Sequence, residues 1–261
     1  MPRHLLHYEI YNHSEAAPWL VFVHGAGGAI ASWNYQREAF KDFFNLLFLD
    51  LRDHGKSKGM APEHPKYNFD IICTDILCVL DHLGISSAHF MSLSMGSVLL
   101  QRLDDLRPGL VESQIFAGGV FRGNWRIHLF AHGGKMLSHI LTYQQLYTLF
   151  SWLVMPKKNH AFARRVYRMQ SRLLSPREYL KWISLYREFF GVLRRYFRKP
   201  LLTPSLVVMG SQDHIFLDAA RRFASRHAQA HLQIIERCGH ICNIEQPDTF
   251  NKLALEFLTA K

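Results

Sequence analysis

Short apolar runs alternate with stretches of helical periodicity along most of the chain. Apolar residues at positions 72, 76, 79, 80 and 83 predict a helix over 70–83 that stops at Gly84. Strands are predicted at 20–23, 46–49, 88–91, 113–117, 206–209 and 232–236, and further helices at 97–106, near 218–228 and at 247–258. Alternating strands and helices predict an α/β fold with a mostly parallel, doubly wound sheet whose two faces are covered by helices.

Residues 120–200 interrupt this alternation. They contain no apolar run bounded by turn residues, and helical periodicity dominates. The simplest interpretation is a helical insertion above the sheet. The predicted organisation is a core domain formed by residues 1–119 and 201–261, with a helical cap at residues 120–200.

The positive charge of the chain is concentrated in that same region. The net charge is +10, but residues 119–200 hold 16 Lys and Arg and only two acids, which gives +14 there and −4 elsewhere. A basic, aromatic cap predicts contact with an anionic membrane surface or with an acidic substrate or carrier. The alternative is a set of solvated helix faces, and no nucleic-acid-binding motif accompanies the charge. The expected interfacial anchors are Trp125, Trp152, Phe189, Phe190 and Phe197.

The remaining composition is typical of a globular protein with a sizeable core, since 48% of the residues are hydrophobic. No uninterrupted apolar run reaches the roughly 18 residues of a membrane span, and the first residues lack the apolar core of a signal peptide. Four cysteines form no dense framework. We therefore expect a cytoplasmic protein. The basic cap suggests a peripheral location at a membrane as the alternative.

The segment Ser92-Leu93-Ser94-Met95-Gly96 lies between a predicted strand and a predicted helix. This is the context of a nucleophile elbow, a turn so tight that small residues are needed two positions either side of the central serine. Ser94 has the right offset from Gly96, and Ser92 stands where glycine is usual. Ser92 is the alternative nucleophile, although it lies two residues too early for the elbow.

A serine nucleophile needs a base, and the base needs a group to orient it. Groups that follow parallel strands meet at one edge of a sheet, so the partners are expected just after later strands. Asp213 follows the strand at 206–209, and His240 follows the strand at 232–236. Asp218 is the alternative acid, although an acid there is expected to begin the next helix.

Five segments in this order make the chain similar to the α/β-hydrolases from near Leu20 to its end. They are His24-Gly25-Ala26-Gly27-Gly28, Asp50-Leu51-Arg52-Asp53-His54-Gly55-Lys56-Ser57, the elbow, Gly210-Ser211-Gln212-Asp213 and Cys238-Gly239-His240. The resemblance implies that Ser94 is the nucleophile, His240 the general base and then acid, and Asp213 the orienting carboxylate. It implies an oxyanion hole from the backbone N–H groups of Ala26 and Met95. The expected supporting residues are His24, Gly25, Gly27 and Gly96.

The resulting expectation is a serine hydrolase that cleaves carboxylic esters through an acyl-enzyme, with an apolar acyl chain suggested by the aromatic cap. No cofactor or metal is expected: Cys238 and Cys242 are predicted to be buried thiols, and Ile30 stands where a dinucleotide-binding loop needs glycine. Two alternatives stay open. One is a related triad hydrolase acting on a thioester, a lactone or a carbon–carbon bond, and the other is a non-catalytic ligand-binding or sensor protein with the same fold.

Overall fold

The computed structural model describes residues 5–60, 66–123, 125–137, 140–172 and 185–260, together with Leu174, Glu178, Lys181 and Trp182. Residues 1–4 and 261, at the ends of the predicted core domain, lie outside the described residues, as do parts of the predicted cap.

Seven strands form one sheet in the order β1-β3-β2-β4-β5-β6-β7. Strand β1 pairs with β3 in the antiparallel direction, and every other pairing is parallel. The predicted mostly parallel sheet is therefore confirmed. The strands are β1 (Tyr8–Tyr11), β2 (Trp19–Val23), β3 (Asn45–Leu49), β4 (Ala88–Leu93), β5 (Val111–Ala117), β6 (Ser205–Gly210) and β7 (Ala230–Ile235).

Helices cover both faces of the sheet, as the alternation of the sequence predicts. Two short 3₁₀ turns, Ile30–Trp33 and Lys158–His160, precede α1 and α6. The helices are α1 (Asn34–Phe40), α2 (Phe69–His82), α3 (Gly96–Leu106), α4 (Trp125–Leu137), α5 (Tyr143–Val154), α6 (Ala161–Ser171), α7 (Tyr186–Arg198), α8 (Leu217–Arg226), α9 (Cys242–Glu245) and α10 (Pro247–Thr259). None of the described helices is long and apolar enough to cross a membrane.

The strand order creates a crevice at the carboxyl ends of β2 and β4. Strand β2 lies between β3 and β4, so the chain leaves it first towards one edge of the sheet and later returns on its other side. Ligands bind in such a crevice because the loops after the two strands diverge there. Strands β2, β3 and β4 are mostly apolar and mostly buried, which holds these loops on a rigid base.

Between residues 120 and 200 the described residues form helices α4 to α7 and no strand. The division of the chain into core and cap stays a prediction, but contacts between the two regions are specific. The indole nitrogen of Trp182 donates a hydrogen bond of 3.1 Å to the carbonyl of Arg52. The hydroxyl of Tyr196 donates one of 2.8 Å to Asp105 on α3.

Three of the five aromatic residues expected to be interfacial anchors pack against other side chains of the protein. Phe189 stacks on Phe69, Phe190 stacks on His128 and Phe197 packs beside Phe223. These three side chains pack against the hydrophobic core because α7 turns its aromatic face inward. Trp125 and Trp152 are exposed, by 69% and 48%.

Candidate active site

A strained turn presents Ser94 at the carboxyl end of β4. The backbone of Ser94 has φ 52°, in the left-handed region that a non-glycine residue adopts only when the surroundings require it. The turn is so tight that two positions have no room for a side chain. A Cβ atom on Gly96 would lie 2.7 Å from the carbonyl oxygen of Val23, and one on Gly25 would lie 2.8 Å from that of Leu93. Glycine at both positions therefore lets β2, β4 and α3 approach closely.

The structure separates the two serines of the elbow. Ser92 is fully buried in β4, and its hydroxyl donates a hydrogen bond of 3.2 Å to the carbonyl of Ile115. Ser94 is partly exposed and lines a cavity. Ser92 therefore has a partner inside the sheet, whereas the hydroxyl of Ser94 faces the crevice.

Three side chains from three loops form one hydrogen-bonded row. The Nε2 atom of His240 lies 2.8 Å from the hydroxyl oxygen of Ser94, and its Nδ1 atom lies 2.7 Å from a carboxylate oxygen of Asp213. Asp213 is fully buried, and its other oxygen accepts the backbone N–H of Phe216 at 3.0 Å. A carboxylate held in this way keeps the imidazole in the orientation in which Nε2 can take a proton from the serine.

The alternative acid, Asp218, does not reach this row. Its side chain is 80% exposed in the first turn of α8, where a negative charge is favoured by the unpaired backbone N–H groups. The expectation that Asp218 begins a helix agrees with its position in the structure.

Two backbone N–H groups next to Ser94 are available to an oxyanion. Ala26 and Met95 both line the cavity that contains the Ser94 hydroxyl. Within the described part of the chain, neither N–H donates to a backbone or side-chain acceptor. Paired donors beside a nucleophile stabilise the charge that develops on a carbonyl oxygen.

Two buried histidines hold the loop that contains Ala26. His24 donates from Nδ1 to the carbonyl of Gly25 at 2.8 Å and accepts the N–H of Leu51 at Nε2. His54 accepts the N–H of Gly27, whose φ is 73°, at 3.0 Å. Burial lowers the pKa of His24 to about 4 and that of His54 to about 3, so both rings are neutral at pH 7 and can act as acceptors.

His24 is one of the supporting residues expected from the sequence, whereas His54 is not among them. The signal was present in the sequence, because His54 belongs to the same segment as Asp50. That carboxylate accepts the N–H of Ile30 at 2.8 Å and the N–H of Lys56 at 2.9 Å. Arg52 forms a buried ion pair with Asp75, with 2.6 Å between Nε and the carboxylate. Hydrogen bonds from this segment therefore connect the loop after β3 to the part of the chain that contains Ala26.

A buried carboxylate supports the loop that contains His240. Glu245 accepts the N–H of Gly239 at 2.8 Å, and its second oxygen is buried without a partner among the described residues. Burial raises the pKa of this carboxyl group. Cys238 and Cys242 are free and buried, and burial raises the pKa of both thiols. The described residues contain no cluster of three potential metal ligands.

A cavity of about 240 Å³ opens above Ser94 and His240. Its described lining comes from the core loops and from α4, α5, α6 and α7, and it contains no Lys, Arg, Asp or Glu. Most of the lining is apolar, with the polar side chains of Ser32, Ser151, Tyr167 and Gln170 at intervals. The site therefore combines a serine hydroxyl hydrogen-bonded to a histidine, two backbone N–H groups without an acceptor among the described residues and a largely apolar chamber.

Together, the sheet, the elbow and the histidine–carboxylate pair define a hydrolase of the α/β class with a serine at the nucleophile position. The model of the alpha/beta hydrolase family matches residues 20–253, and the chain belongs to that family.

Relatives in this family carry names of several activities. The chain is 26% identical to a putative carbamate hydrolase RutD of Stutzerimonas stutzeri, over 97% of this chain and 96% of the relative. It is 26% identical to 3-oxoadipate enol-lactonase 2 of Acinetobacter baylyi, over 90% and 86% of the two chains. The crystal structure of the enol-lactonase from Burkholderia xenovorans LB400 superposes with a TM-score of 0.78 at 24% identity, covering 98% of this chain and 96% of that one.

Proposed function

We propose that the protein is a serine hydrolase that cleaves carboxylic esters with a neutral, apolar acyl group through an acyl-enzyme. The observation that supports this most directly is the row Ser94–His240–Asp213, with separations of 2.8 and 2.7 Å, at the floor of an uncharged cavity. The family relationship supports hydrolysis in general, and the uncharged lining of the cavity supports a neutral acyl group.

In the proposed first half-reaction, His240 Nε2 takes the proton of the Ser94 hydroxyl as the serine oxygen bonds to the acyl carbon. The negative charge on the former carbonyl oxygen is stabilised by the N–H groups of Ala26 and Met95, each contributing about 3–4 kcal/mol. The bond to the alcohol then breaks, and His240 returns the proton to the departing oxygen.

In the second half-reaction, water replaces the alcohol. His240 takes a proton from water while the water oxygen bonds to the acyl carbon, and the bond to Ser94 breaks as the proton returns to the serine oxygen. The carboxylic acid leaves, and the site is restored. Asp213 orients His240 throughout and stabilises its positive charge.

The lining of the cavity favours a neutral acyl group. A carboxylate in the substrate would need a cation or several donors when it is taken out of water, and no Lys or Arg lines the described part of the cavity. The names of several relatives specify an oxoadipate or a dioate, which carry carboxylates. The volume of about 240 Å³ lies below the roughly 300–1,000 Å³ of cavities for drug-sized ligands, which favours a short or medium acyl chain.

Lactone cleavage is the second candidate, because two enol-lactonases of Acinetobacter baylyi are among the relatives and the same serine chemistry opens a cyclic ester. A neutral lactone fits the uncharged lining as well as an open ester does. Carbamates, thioesters and carbon–carbon bonds have no feature of this cavity in their favour. A non-catalytic sensor has no need of the complete hydrogen-bonded row.

A labelling experiment with a matched ester panel tests the proposal. We expect a fluorophosphonate probe to label the native protein and not Ser94→Ala, with Ser92→Ala as the control that still labels. We expect hydrolysis of 4-nitrophenyl esters to be fastest for short or medium acyl chains, and 4-nitrophenyl butyrate to exceed the charged hemisuccinate by at least about tenfold. Absence of labelling would support the non-catalytic alternative, and equal rates for the two esters would contradict the neutral acyl group.

A further inference from the structure

The outer faces of α5 and α6 combine exposed apolar and basic side chains. On α6 and at its C-cap residue Arg172, the exposed residues Phe162, Arg165, Met169 and Arg172 follow one another at intervals of three or four, which places them on one helix face. Phe162 and Met169 are 53% and 61% exposed, so this face alternates large apolar groups with cations.

Helix α5 extends the same surface. Leu149 and Trp152 lie three residues apart and are each 48% exposed. The indole ring of Trp152 covers the guanidinium group of the buried Arg164, with 3.8 Å from the guanidinium carbon to the ring centroid, and this contact joins the two helices. Lys157 and Lys158, in the exposed connection between the helices, add two further cations.

The stretch of sequence that carries these cations contains no acidic residue. Residues 113–177 contain ten Lys and Arg and no Asp or Glu. Most of the large hydrophobic side chains that are exposed in the described structure also lie between 125 and 169, on α4, α5 and α6 or next to them. An isolated exposed hydrophobic residue is normal, but a cluster interspersed with one sign of charge marks a contact surface.

From these observations we infer that the face formed by Leu149, Trp152, Phe162, Arg165, Met169 and Arg172 docks on an anionic lipid surface. Such a surface offers negative headgroups to the cations and an apolar layer beneath them to the hydrophobic side chains. A second copy of this chain would bring like charges together, and a nucleic acid would leave the apolar side chains without a partner.

Docking in this orientation would bring the wall of the cavity against the lipid. The inner faces of the same two helices line the cavity above Ser94, through residues that include Phe150, Val154, Val166 and Tyr167. Each helix therefore has one side towards the active-site cavity and the other towards the inferred membrane. The inference concerns binding and stands independently of the bond that is cleaved.

The test measures binding of the full chain to vesicles of phosphatidylcholine alone and of phosphatidylcholine with about one third phosphatidylglycerol. We expect binding to the anionic vesicles only, and a marked decrease as salt is raised. The double variant Arg165→Gln/Arg172→Gln is expected to bind about 30-fold more weakly. The double variant Phe162→Ser/Met169→Ser is expected to bind at least about tenfold more weakly.

Matched controls carry the same changes elsewhere. Arg222→Gln/Arg226→Gln removes two exposed charges from α8, and Phe43→Ser/Leu202→Ser removes two exposed apolar groups outside the cap. Both controls should retain native binding. Absence of binding to anionic vesicles overturns the inference, and salt-sensitive binding to poly-glutamate without vesicle binding would indicate an acidic protein partner instead. Loss of binding in the basic variant but not in the apolar variant would also contradict it, because lipid insertion requires both.

Discussion

The hydroxyl of Ser32 donates a hydrogen bond of 2.8 Å to the carboxamide oxygen of Gln170. Ser32 follows the loop that contains Ala26, and Gln170 lies on α6. Both side chains line the cavity. The Ser32 oxygen also accepts the N–H of Ala29, so its own proton is directed to Gln170. This hydrogen bond orients the amide group of Gln170, a residue that is only 7% exposed. The amide nitrogen of Gln170 has no hydrogen-bond partner among the described residues.

We expect that nitrogen to donate a hydrogen bond to an oxygen in the acyl group of the substrate. The change Gln170→Met should reduce kcat/KM for 4-nitrophenyl esters with an ether oxygen in the chain by about five- to tenfold relative to the all-carbon ester of equal length. Gln170→Glu should have the same effect, because it keeps the acceptor for Ser32 and lacks the N–H donor. Unchanged relative rates at every ether position would exclude this role.

We expect Ser92→Gly to retain activity within about twofold. Ser92 fills the small-residue position of the elbow, and its hydroxyl bonds inside the sheet, away from the cavity. Loss of that hydrogen bond and the added freedom of glycine should lower the free energy of unfolding by about 1 kcal/mol. Urea unfolding and ester hydrolysis measure the two effects, and a folded but inactive variant would mean that Ser92 takes part in the reaction.

We expect Asp213→Asn to lower kcat by about three to four orders of magnitude while the fold is kept. The amide can accept the N–H of Phe216 but presents no carboxylate to His240, so the imidazole loses the group that orients it. Asp218→Asn, an exposed change five residues away, is the matched control and should be silent. Equal losses in the two variants, with native circular dichroism, would contradict the assignment.

The buried histidines should make the fold sensitive to mild acid. Their folded-state pKa values, about 4 for His24 and about 3 for His54, lie below the ordinary value near 6.5. Below that value the unfolded chain takes up protons that the folded chain does not, so stability is complete above about pH 6.5 and falls as the pH falls towards 4.

The variant His54→Gln tests the contribution of one of these histidines to the pH dependence of stability. Glutamine can still accept the N–H of Gly27, but it does not titrate. The dependence of the unfolding free energy on pH should decrease by about one proton between about pH 6 and pH 4, measured by urea unfolding at a series of pH values. His13→Gln, at an exposed histidine, should leave the dependence as it is.

Glu245 should have the opposite pH dependence. Burial raises the pKa of its carboxyl group above the ordinary value, so the stability of the fold decreases as the pH rises through that value. Glu245→Gln keeps an oxygen for the N–H of Gly239 and removes the buried charge, and it should raise Tm at pH 7 by about 2–4 °C. The gain should vanish below about pH 4.5.

Glu245→Ala is the control for that acceptor. It leaves the Gly239 N–H without a partner next to His240, and it should lower both Tm and kcat/KM. If the glutamine variant behaved like the alanine variant, the fold would need the charge of Glu245, and burial of that charge would not be destabilising.

The local pattern of the sequence was sufficient for the six parallel strands and for the choice of Ser94, Asp213 and His240, which form the hydrogen-bonded row. Buried strands, helix stops and the elbow depend on the chemistry of a few neighbouring residues, and the parallel sheet then brings the ends of its strands together. The sequence alone favoured Ser94 over Ser92 by spacing, and the buried bond from Ser92 to Ile115 supplies the physical reason.

Only the tertiary structure decided which faces of the middle helices are covered. Periodicity shows that α7 is amphipathic, and the tertiary structure packs its aromatic side on Phe69 and Phe223. The tertiary structure also brings together Ser32 and Gln170, which are 138 residues apart, and places His54 within hydrogen-bond distance of the Gly27 N–H. Such contacts depend on how separate elements pack, and the energy of packing is not encoded in the spacing of residues along one helix or strand.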